Sequence, residues 1–150
     1  MSHRDPAVTS RIMSSIPNRD TQPEMLLRRE LHRRGLRYRL RAQLLGRPDL
    51  VFPQPRVAVF VDGDFWHGNA WRLRGQRDFT SQFESIANGD FWRAKITANV
   101  ERDAWVTANL DAAGWCVLRL WESDIRTNLE AAATGVQTEV RARSGVEVPA

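Results

Sequence analysis

Residues 57–67 read V-A-V-F-V-D-G-D-F-W-H, an uninterrupted apolar run that passes directly into acidic, aromatic and histidine side chains. A continuous apolar run of this length is typical of a central strand that is buried on both faces. Gly63 lets the backbone turn sharply behind the strand. Loops that follow the carboxyl ends of strands are the usual place for sites in open α/β sheets. We therefore expect a functional site at residues 62–67.

The segments on both sides carry helix and strand patterns. T-Q-P-E at 21–24 is a capping box that begins a helix ending at Gly35, and Asp90 is expected to cap a long helix through Ala113. Residues 62–89 show no clear period, and a loop this long inside a compact domain is usually functional. The order of elements predicts an α/β sandwich around a mixed sheet. The expected strands are 36–40, 50–52, 57–61 and 115–121, and a last helix is expected to begin over 122–129.

Length and composition narrow the class of protein. The chain has 150 residues, a formal net charge of +4 and one cysteine, Cys116. This length suits one domain with its own core, and a single cysteine excludes an intramolecular disulfide and a cysteine-cluster zinc site. No apolar run approaches the length of a membrane span. We expect an intracellular protein with a flexible arm at 1–18, one domain at 19–143 and a frayed tail at 144–150.

Basic residues concentrate in the first half of the chain. Residues 1–75 carry 14 basic and 7 acidic residues, a net charge of +7, whereas residues 76–150 carry 8 and 11, a net charge of −3. Almost all of the basic residues are arginine, whose forked guanidinium binds phosphate through two-point contacts. The asymmetry favours a nucleic-acid-binding face in the first half. A solvated, arginine-rich helix face would give the same composition.

Two carboxylates in the first half are candidate metal ligands. Asp49 follows the turn G-R-P at 46–48 and precedes an apolar strand, so its carboxylate can point into a cleft and bind a hard divalent cation. The alternative is a turn residue that binds local N–H groups. Glu24 can face the same cleft, or it can serve only as the carboxylate of the capping box.

His67 and Asp103 are the candidates for acid–base chemistry. A neutral imidazole near pH 7 is the usual general base for deprotonating water, and His67 stands close to Asp62 and Asp64. Asp103 falls in the middle of an apolar helix face, where a carboxylate must be paired, bonded or functional. The alternatives are a structural histidine and a salt bridge from Asp103 to an arginine under the sheet. That apolar face carries Trp92, Ile96, Val100 and Leu110.

The aromatic residues divide into two groups. Phe65 and Trp66 lie beside polar residues and have no evident core to join. Exposed aromatic rings next to a basic surface can stack on bases or wedge between base steps, although ordinary core packing is the alternative. Core packing is the expectation for Trp105, Trp115 and Trp121.

Five motifs occur in one order along most of the chain. They are R-D-T-x-x-E at 19–24, L-x-G-R-P-D at 44–49, G-x-F-W-H at 63–67, F-W-x-x-K-I-x-x-N-V-E-R-D at 91–103 and G-W-x-V-L-x-x-W-E at 114–122. Together they resemble the very short patch repair (Vsr) endonucleases, over about Arg11 to Leu129. The resemblance implies a restriction-endonuclease-like (PD-(D/E)XK-related) three-layer sandwich around a mixed β-sheet. It also implies a magnesium-dependent nick 5′ to the thymine of a T·G mismatch.

The resemblance assigns roles to the matching residues. Asp49 and the backbone carbonyl of Val61 would bind one or two Mg²⁺, with Glu24 as an auxiliary acidic residue. His67 would be the general base that activates water, and Asp103 would hold and polarise it. The residues that would contact DNA are Phe65, Trp66 and Trp92, which would intercalate beside the mismatch, and Arg47, Lys95 and Asn99.

Two departures from the family pattern change the expected metal sites. Asp62 stands where the family often has a histidine, and its carboxylate can bind the metal directly and support catalysis there. The family's structural zinc lacks its cysteine and histidine ligands, because Asp64, Asn69 and Ser123 replace them. Cys116 cannot serve alone, so we expect no zinc.

The sequence therefore predicts a magnesium-dependent DNA endonuclease whose partner is double-stranded DNA with a T·G mismatch. We expect a bacterial, cytoplasmic, nucleoid-associated monomer, with mismatch-repair proteins as further candidate partners. Two alternatives stay open. One is a Vsr-like nuclease without mismatch specificity, acting in restriction or phage defence, and the other is a non-catalytic DNA-binding protein that has lost the metal.

Overall fold

The computed structural model describes residues 20–84 and 86–145, and the expected arm at 1–18 and most of the tail lie outside them. None of the described helices is long and apolar enough to cross a lipid bilayer. The helices are α1 (Gln22–Arg33), α2 (Ala70–Leu73), α3 (Gly89–Ala112), α4 (Glu122–Thr127) and α5 (Leu129–Arg143), with a 3₁₀ helix at Thr80–Phe83, and the strands are β1 (Leu50–Phe52), β2 (Val57–Asp62) and β3 (Cys116–Trp121).

The three strands form one mixed sheet, as the sequence predicted. β1 pairs antiparallel with β2, and β2 pairs parallel with β3, so β2 is the central strand. A parallel pair needs a long crossover connection, and the segment that contains α3 supplies it. The parallel register places Phe60 beside Arg119 and Asp62 beside Trp121, so the carboxyl ends of both strands lie at one edge of the sheet.

Helices cover both faces of the sheet, which confirms that β2 is a buried central strand. Val57 and Val59 pack in a core with α1, α4 and α5, whereas Ala58 and Phe60 pack against α3 on the other face. This alternation follows from the period of two in a strand. Burial of each large apolar side chain contributes about 2 kcal/mol. The fully buried side chains include Leu27, Leu31, Leu50, Ile96, Ile125 and Val136.

The first helix begins where the sequence predicted, but the predicted capping box does not form. Thr21 occupies the N-cap position without a side-chain cap bond. Glu24 Oε1 instead accepts a hydrogen bond from the backbone N–H of Asp20 (3.0 Å), the residue before the N-cap, whereas a capping box requires the N–H of Thr21. Pro23 lies in the first turn, where its missing N–H costs little. The helix ends before Gly35, which has a φ of +85°.

The strand predicted at 36–40 does not form. Only Arg39 pairs, in an isolated bridge with Val51. Arg41 follows with a φ of 56°, and this left-handed conformation turns the chain away from the sheet. Of the apolar positions in the predicted strand, Leu36 is buried in the core and Tyr38 packs against it, whereas Leu40 is 38% exposed.

Two helix predictions are corrected at asparagines. The long helix begins at Gly89 after Asn88 rather than at the expected cap, Asp90. The single last helix is two helices, because the chain changes direction at Asn128. The Asn128 side chain accepts a hydrogen bond from the N–H of Ala131 (3.1 Å) and so caps α5.

The burial predicted along α3 holds for most of its inner face but not for all of it. Trp105 was expected in the core and is 58% exposed, because it lies on the outer side of the helix. Val100 was expected on the buried face and is 38% exposed. Residues 62–89, expected as a loop, contain α2 and the 3₁₀ helix.

Candidate active site

Asp49 lies directly before β1 and is held against the end of β2. Its backbone N–H donates to the Val59 carbonyl (2.9 Å), and its Oδ2 accepts a hydrogen bond from the backbone N–H of Val61 (2.7 Å). The side chain thus binds an N–H group of the neighbouring strand, rather than one of its own turn as the turn alternative predicted. The same bond fixes the carboxylate beside the Val61 peptide, so the structural and the metal-binding interpretations are compatible.

Glu24 of α1 lies close to Asp49, and its charge opposes the ionisation of the Asp49 carboxyl. The pKa of Asp49 is raised to about 7, chiefly by burial and also by the Glu24 charge, against the lowering effect of the hydrogen bond from the Val61 N–H. Glu24 is itself only 2% exposed. A buried carboxylate pair is stabilised by a proton or by a divalent cation, and carboxylate oxygens are the ligands that Mg²⁺ prefers. The donor set therefore fits Mg²⁺.

An open cleft of about 770 Å³ lies in front of this carboxylate pair. Arg41 and Arg47 line it and are exposed, and both adopt left-handed backbone conformations, with φ of 56° and 52°. Non-glycine residues in this conformation are uncommon and cluster at functional sites. The cleft thus combines two carboxylates with a basic rim, which suits a phosphate group that binds together with a divalent cation.

His67 and Asp103 form the second part of the site. His67 lies on the loop after β2, its backbone N–H donates to the Gly63 carbonyl (3.1 Å), and its Nδ1 is hydrogen-bonded to the Asp103 carboxylate. Burial lowers the pKa of His67, but the bond to Asp103 and the charges of Asp62 and Asp103 outweigh it, so the pKa is raised. The structure thus brings together the two residues that the sequence suggested for acid–base chemistry.

Arg119 of β3 is a site residue that sequence reasoning missed. Its Nη1 donates to both carboxylate oxygens of Asp62 (3.1 and 3.2 Å) and lies 3.7 Å from Asp103 Oδ1. The salt bridge from Asp103 to an arginine, which was the alternative to a catalytic role, therefore exists alongside the histidine contact. The signal was present in W-C-V-L-R-L-W, because a charge within a buried apolar strand must find a partner.

Asp62 belongs to the His67 side of the site. Its side chain is buried, and burial raises its pKa against the lowering effects of His67 and Arg119. One ligand atom each of Asp62, His67 and Asp103 lies within 4.8 Å of the others, so this group could hold a metal ion. The expected metal ligation by Asp62 stays a prediction, because both of its oxygens already accept hydrogen bonds from Arg119.

Phe65 and Trp66 join an aromatic cluster, contrary to the expectation that they have no core. Their rings make edge contacts with each other, with 5.5 Å between ring centroids, and with Trp92, at centroid distances of 5.6 Å from Phe65 and 6.0 Å from Trp66. Trp92 is buried, while Phe65 and Trp66 remain partly exposed. Asn99 Nδ2 donates to the Trp66 carbonyl (3.0 Å) and so ties the loop to α3, and Lys95 is half-buried one turn earlier.

Asp64, Asn69 and Ser123 form a hydrogen-bonded group, which we call the polar anchor. Asp64 Oδ1 accepts hydrogen bonds from Asn69 Nδ2 (2.7 Å) and from the Ser123 hydroxyl (2.6 Å), and Asp64 Oδ2 accepts one from the Ser123 N–H (3.0 Å). Asn69 is 6% exposed. The polar anchor therefore ties the loop that carries His67 to the start of α4.

Known proteins are similar in sequence to this chain along most of its length. A family model described as DNA mismatch endonuclease Vsr matches residues 1–73. A type II nicking enzyme of Neisseria meningitidis serogroup C is 38% identical over 147 residues, which are 97% of this chain and 95% of that relative. A type II nicking enzyme of Haemophilus parainfluenzae is 37% identical over 131 residues, 87% of this chain and 88% of the relative. The DNA mismatch endonuclease Vsr of Escherichia coli strain K12 is 38% identical over 124 residues, 81% of this chain and 74% of that enzyme. This chain belongs to the Vsr family of DNA endonucleases.

Proposed function

We propose that this protein is a magnesium-dependent endonuclease with a restriction-endonuclease-like fold, which nicks one strand of duplex DNA 5′ to the thymine of a T·G mismatch. The supporting observation is that His67, bound through Nδ1 to Asp103, follows the same end of β2 that holds Asp49. A base oriented by an acid, close to a carboxylate pair that suits a metal ion, is an arrangement that hydrolyses phosphodiesters.

In this mechanism His67 is the general base. Because the Asp103 carboxylate accepts at Nδ1, the ring proton resides there and the Nε2 lone pair is free to take a proton from water. Asp103 then stabilises the imidazolium that forms, as the acidic member of a catalytic triad does. Asp103 comes from α3 and His67 from the loop, so helix packing sets the direction in which the base points.

Asp49 and the backbone carbonyl of Val61 would hold one or two Mg²⁺, with Glu24 as the auxiliary acidic residue. Bound there, Mg²⁺ supplies positive charge to the scissile phosphate and to the leaving oxygen. The Val61 N–H keeps the Asp49 carboxylate in place before any cation arrives. Asp62 is the further expected ligand, but its carboxylate is paired with Arg119. The proposed metal site therefore depends mainly on Asp49.

Duplex DNA would lie across the cleft with its backbone on the basic rim. Arg41 and Arg47 would bind phosphates, so affinity should fall steeply with salt concentration. Phe65 and Trp66 present their exposed edges from the aromatic cluster and would wedge beside the mismatch, supported by Trp92 beneath them. The remaining proposed contacts come from Lys95 and Asn99 of α3.

The direct test of this function compares two duplexes that differ in one base pair. Purified protein and Mg²⁺ are incubated with an end-labelled duplex that carries one T·G pair, and with its fully matched T·A control. We expect a single nick 5′ to the mismatched thymine and at least about tenfold slower cleavage of the control. A base pair that does not fit a recognition site costs about 1–3 kcal/mol of binding free energy, and for this enzyme the matched T·A pair would be the one that does not fit.

Two other results would each replace the proposal. Equal cleavage of both duplexes would favour a nuclease without mismatch choice, acting in restriction or phage defence; the relatives named as type II nicking enzymes make this the second candidate. DNA binding without Mg²⁺-dependent cleavage would indicate a non-catalytic protein.

We also propose that the polar anchor holds the active-site loop without zinc. Ser123→Ala removes a hydroxyl that donates to Asp64 Oδ1 (2.6 Å), so we expect a loss of about 1 kcal/mol and a Tm lower by about 2–4 °C. Calorimetry measures the Tm of the wild type and of Ser123→Ala. The same measurement on the wild type with a zinc chelator tests whether zinc contributes to its stability. The matched control is Thr138→Ala, whose hydroxyl is exposed on α5. A wild-type Tm that falls on chelation would contradict a zinc-free loop.

A further inference from the structure

Arg119 is the one charged residue in the apolar strand β3, and its guanidinium is held from several sides. It lies over the Phe60 ring, 4.1 Å from the ring centroid. Its Nε donates to Thr107 Oγ1 (2.8 Å), its Nη1 to the Asp62 carboxylate, and its Nη2 to the Asp103 backbone carbonyl (3.3 Å). The rigid fork of an arginine can satisfy all of these acceptors at once, whereas a lysine ammonium offers a single point charge.

The two aspartates that Arg119 contacts lie on opposite sides of His67. Asp103 binds His67 Nδ1, and Asp62 Oδ1 lies 3.8 Å from His67 Nε2. Arg119 Nη1 is within 4 Å of both carboxylates, so one cation bridges the two anions that flank the imidazole. Without this cation the two carboxylates would repel each other, and Asp62 would lose its hydrogen-bond donor.

The same three side chains could compete with the cleft for a divalent cation. Ligand atoms of Asp62, His67 and Asp103 lie within 4.8 Å of one another. A metal ion bound there would occupy Nε2 and leave no lone pair to take a proton from water. It would also have to share the Asp62 oxygens with a guanidinium of the same sign of charge.

The geometry points to Arg119 as a positioning residue that holds Asp62 and Asp103 around His67 and, by its charge, excludes metal ions from this cluster. Divalent cations are thereby directed to Glu24 and Asp49, and His67 is kept for proton transfer. This inference rests on the proposed nuclease function, and it assigns Asp62 to the histidine rather than to the metal.

The first experiment measures Mn²⁺ binding to the metal-free protein by electron paramagnetic resonance, without DNA. In an Asp49→Asn background, which weakens the cleft site, adding Arg119→Gln should tighten Mn²⁺ binding at least about tenfold. Adding His67→Ala should abolish the gain. Arg119→Lys in the same background retains the charge and should show no gain. Equal Mn²⁺ binding with and without Arg119→Gln would overturn the charge argument, as would a gain in the lysine variant.

The second experiment separates kcat from KM for nicking of the T·G duplex. Arg119→Gln should lower kcat about 30- to 100-fold and change KM less than about threefold, as expected for a residue that orients a catalytic group. Arg119→Lys should have a kcat between that of Arg119→Gln and that of the wild type. Arg141→Gln, an exposed arginine on α5, is the matched control and should match the wild type. A folded Arg119→Gln variant with wild-type kcat would overturn the positioning role.

The two experiments also distinguish this inference from the proposed function. If the wild type nicks no DNA while Asp49→Asn with Arg119→Gln gains Mn²⁺, the nuclease proposal fails and the exclusion of metal stands. If Arg119→Gln does not fold, as judged by circular dichroism, the lysine variant carries the test, because a wild-type kcat in Arg119→Lys contradicts the need for the fork.

Discussion

Replacing His67 by alanine is expected to lower the rate of DNA nicking about 10³-fold while the affinity for duplex DNA stays nearly unchanged. The imidazole Nε2 would no longer take a proton from the attacking water, and Asp103 would lose the group that it orients. The Arg41 and Arg47 rim is unaffected, so binding to phosphates persists. Single-turnover nicking of an end-labelled T·G duplex, with a parallel gel-shift titration, measures both quantities.

His32 provides the matched control for this variant. It is exposed in the last turn of α1, at the opposite end of the helix from Glu24, and contacts Tyr38, with 4.9 Å between ring centroids. His32→Ala should therefore nick at the wild-type rate. Wild-type nicking by His67→Ala would remove His67 from the mechanism, whereas loss of nicking in both variants would point to a general effect on folding.

Replacing Asp49 by asparagine is expected to abolish nicking, by about 10³-fold or more, and at the same time to stabilise the metal-free protein at pH 8. The loss of activity follows from removing the proposed metal ligand. The gain in stability follows because asparagine ends the repulsion with Glu24 and can still accept the hydrogen bond from the Val61 N–H. We expect the free energy of unfolding of Asp49→Asn at pH 8 to exceed that of the wild type by on the order of 2 kcal/mol, which corresponds to a Tm higher by about 4–8 °C.

The pH dependence gives this prediction a definite sign. The folded-state pKa of Asp49 is about 7, above its value in an unfolded chain, so folding favours the protonated carboxyl. The contribution of Asp49 to stability is therefore most favourable below about pH 4 and is lost as the pH rises through about 7. Asp49→Asn should lack this component, and saturating Mg²⁺ should remove it from the wild type.

Thermal melts of the metal-free protein between pH 5 and pH 8 test this prediction. Asp124→Asn, which replaces an exposed carboxylate on α4, is the control and should change neither nicking nor the pH profile. An Asp49→Asn variant that melts below the wild type at pH 8 would show that the Asp49 carboxylate is not strained by its neighbours.

The parts of the fold that could be predicted from sequence depend on local signals. β2 and β3 are apolar runs that form the predicted strands, although only β2 is buried and β3 is half-buried, and α1 carries Pro23 and Glu24 in its first turn. The failures occur where tertiary contacts decide the backbone. Arg41 adopts a left-handed conformation that ends the pairing of 36–40, and Asn128 divides the last helix. Neither residue type demands those conformations by itself.

The candidate site shows the same division. Asp49, His67 and Asp103 could be identified because each occurs in an unusual place for a charged or polar group. The contact of His67 with Asp103 spans 36 residues and depends on the packing of α3, so the periodicity of the helix could place Asp103 inside without naming its partner. The role of Arg119 was missed, although a lone arginine in an apolar strand is a readable signal.

The aromatic cluster could not be predicted because most of its aromatic residues come from an aperiodic segment. Phe79 and Phe83 pack with Phe65 and Trp66 from within residues 62–89. A hydrophobic period requires a regular helix or strand, and this segment has only short turns of helix. Long-range contacts between two irregular segments leave no pattern in either of them.

The composition of the polar anchor bears on how the active-site loop responds to oxidation and to the loss of metal ions. A carboxylate, an amide and a hydroxyl join the loop to the start of α4, so this junction contains no thiolate for peroxide to oxidise. On the proposal that the polar anchor holds the loop without zinc, the junction would also assemble as the chain folds and would need no metal delivery. On that proposal, peroxide and zinc chelators, which disable thiolate-bound zinc sites, would leave this junction intact.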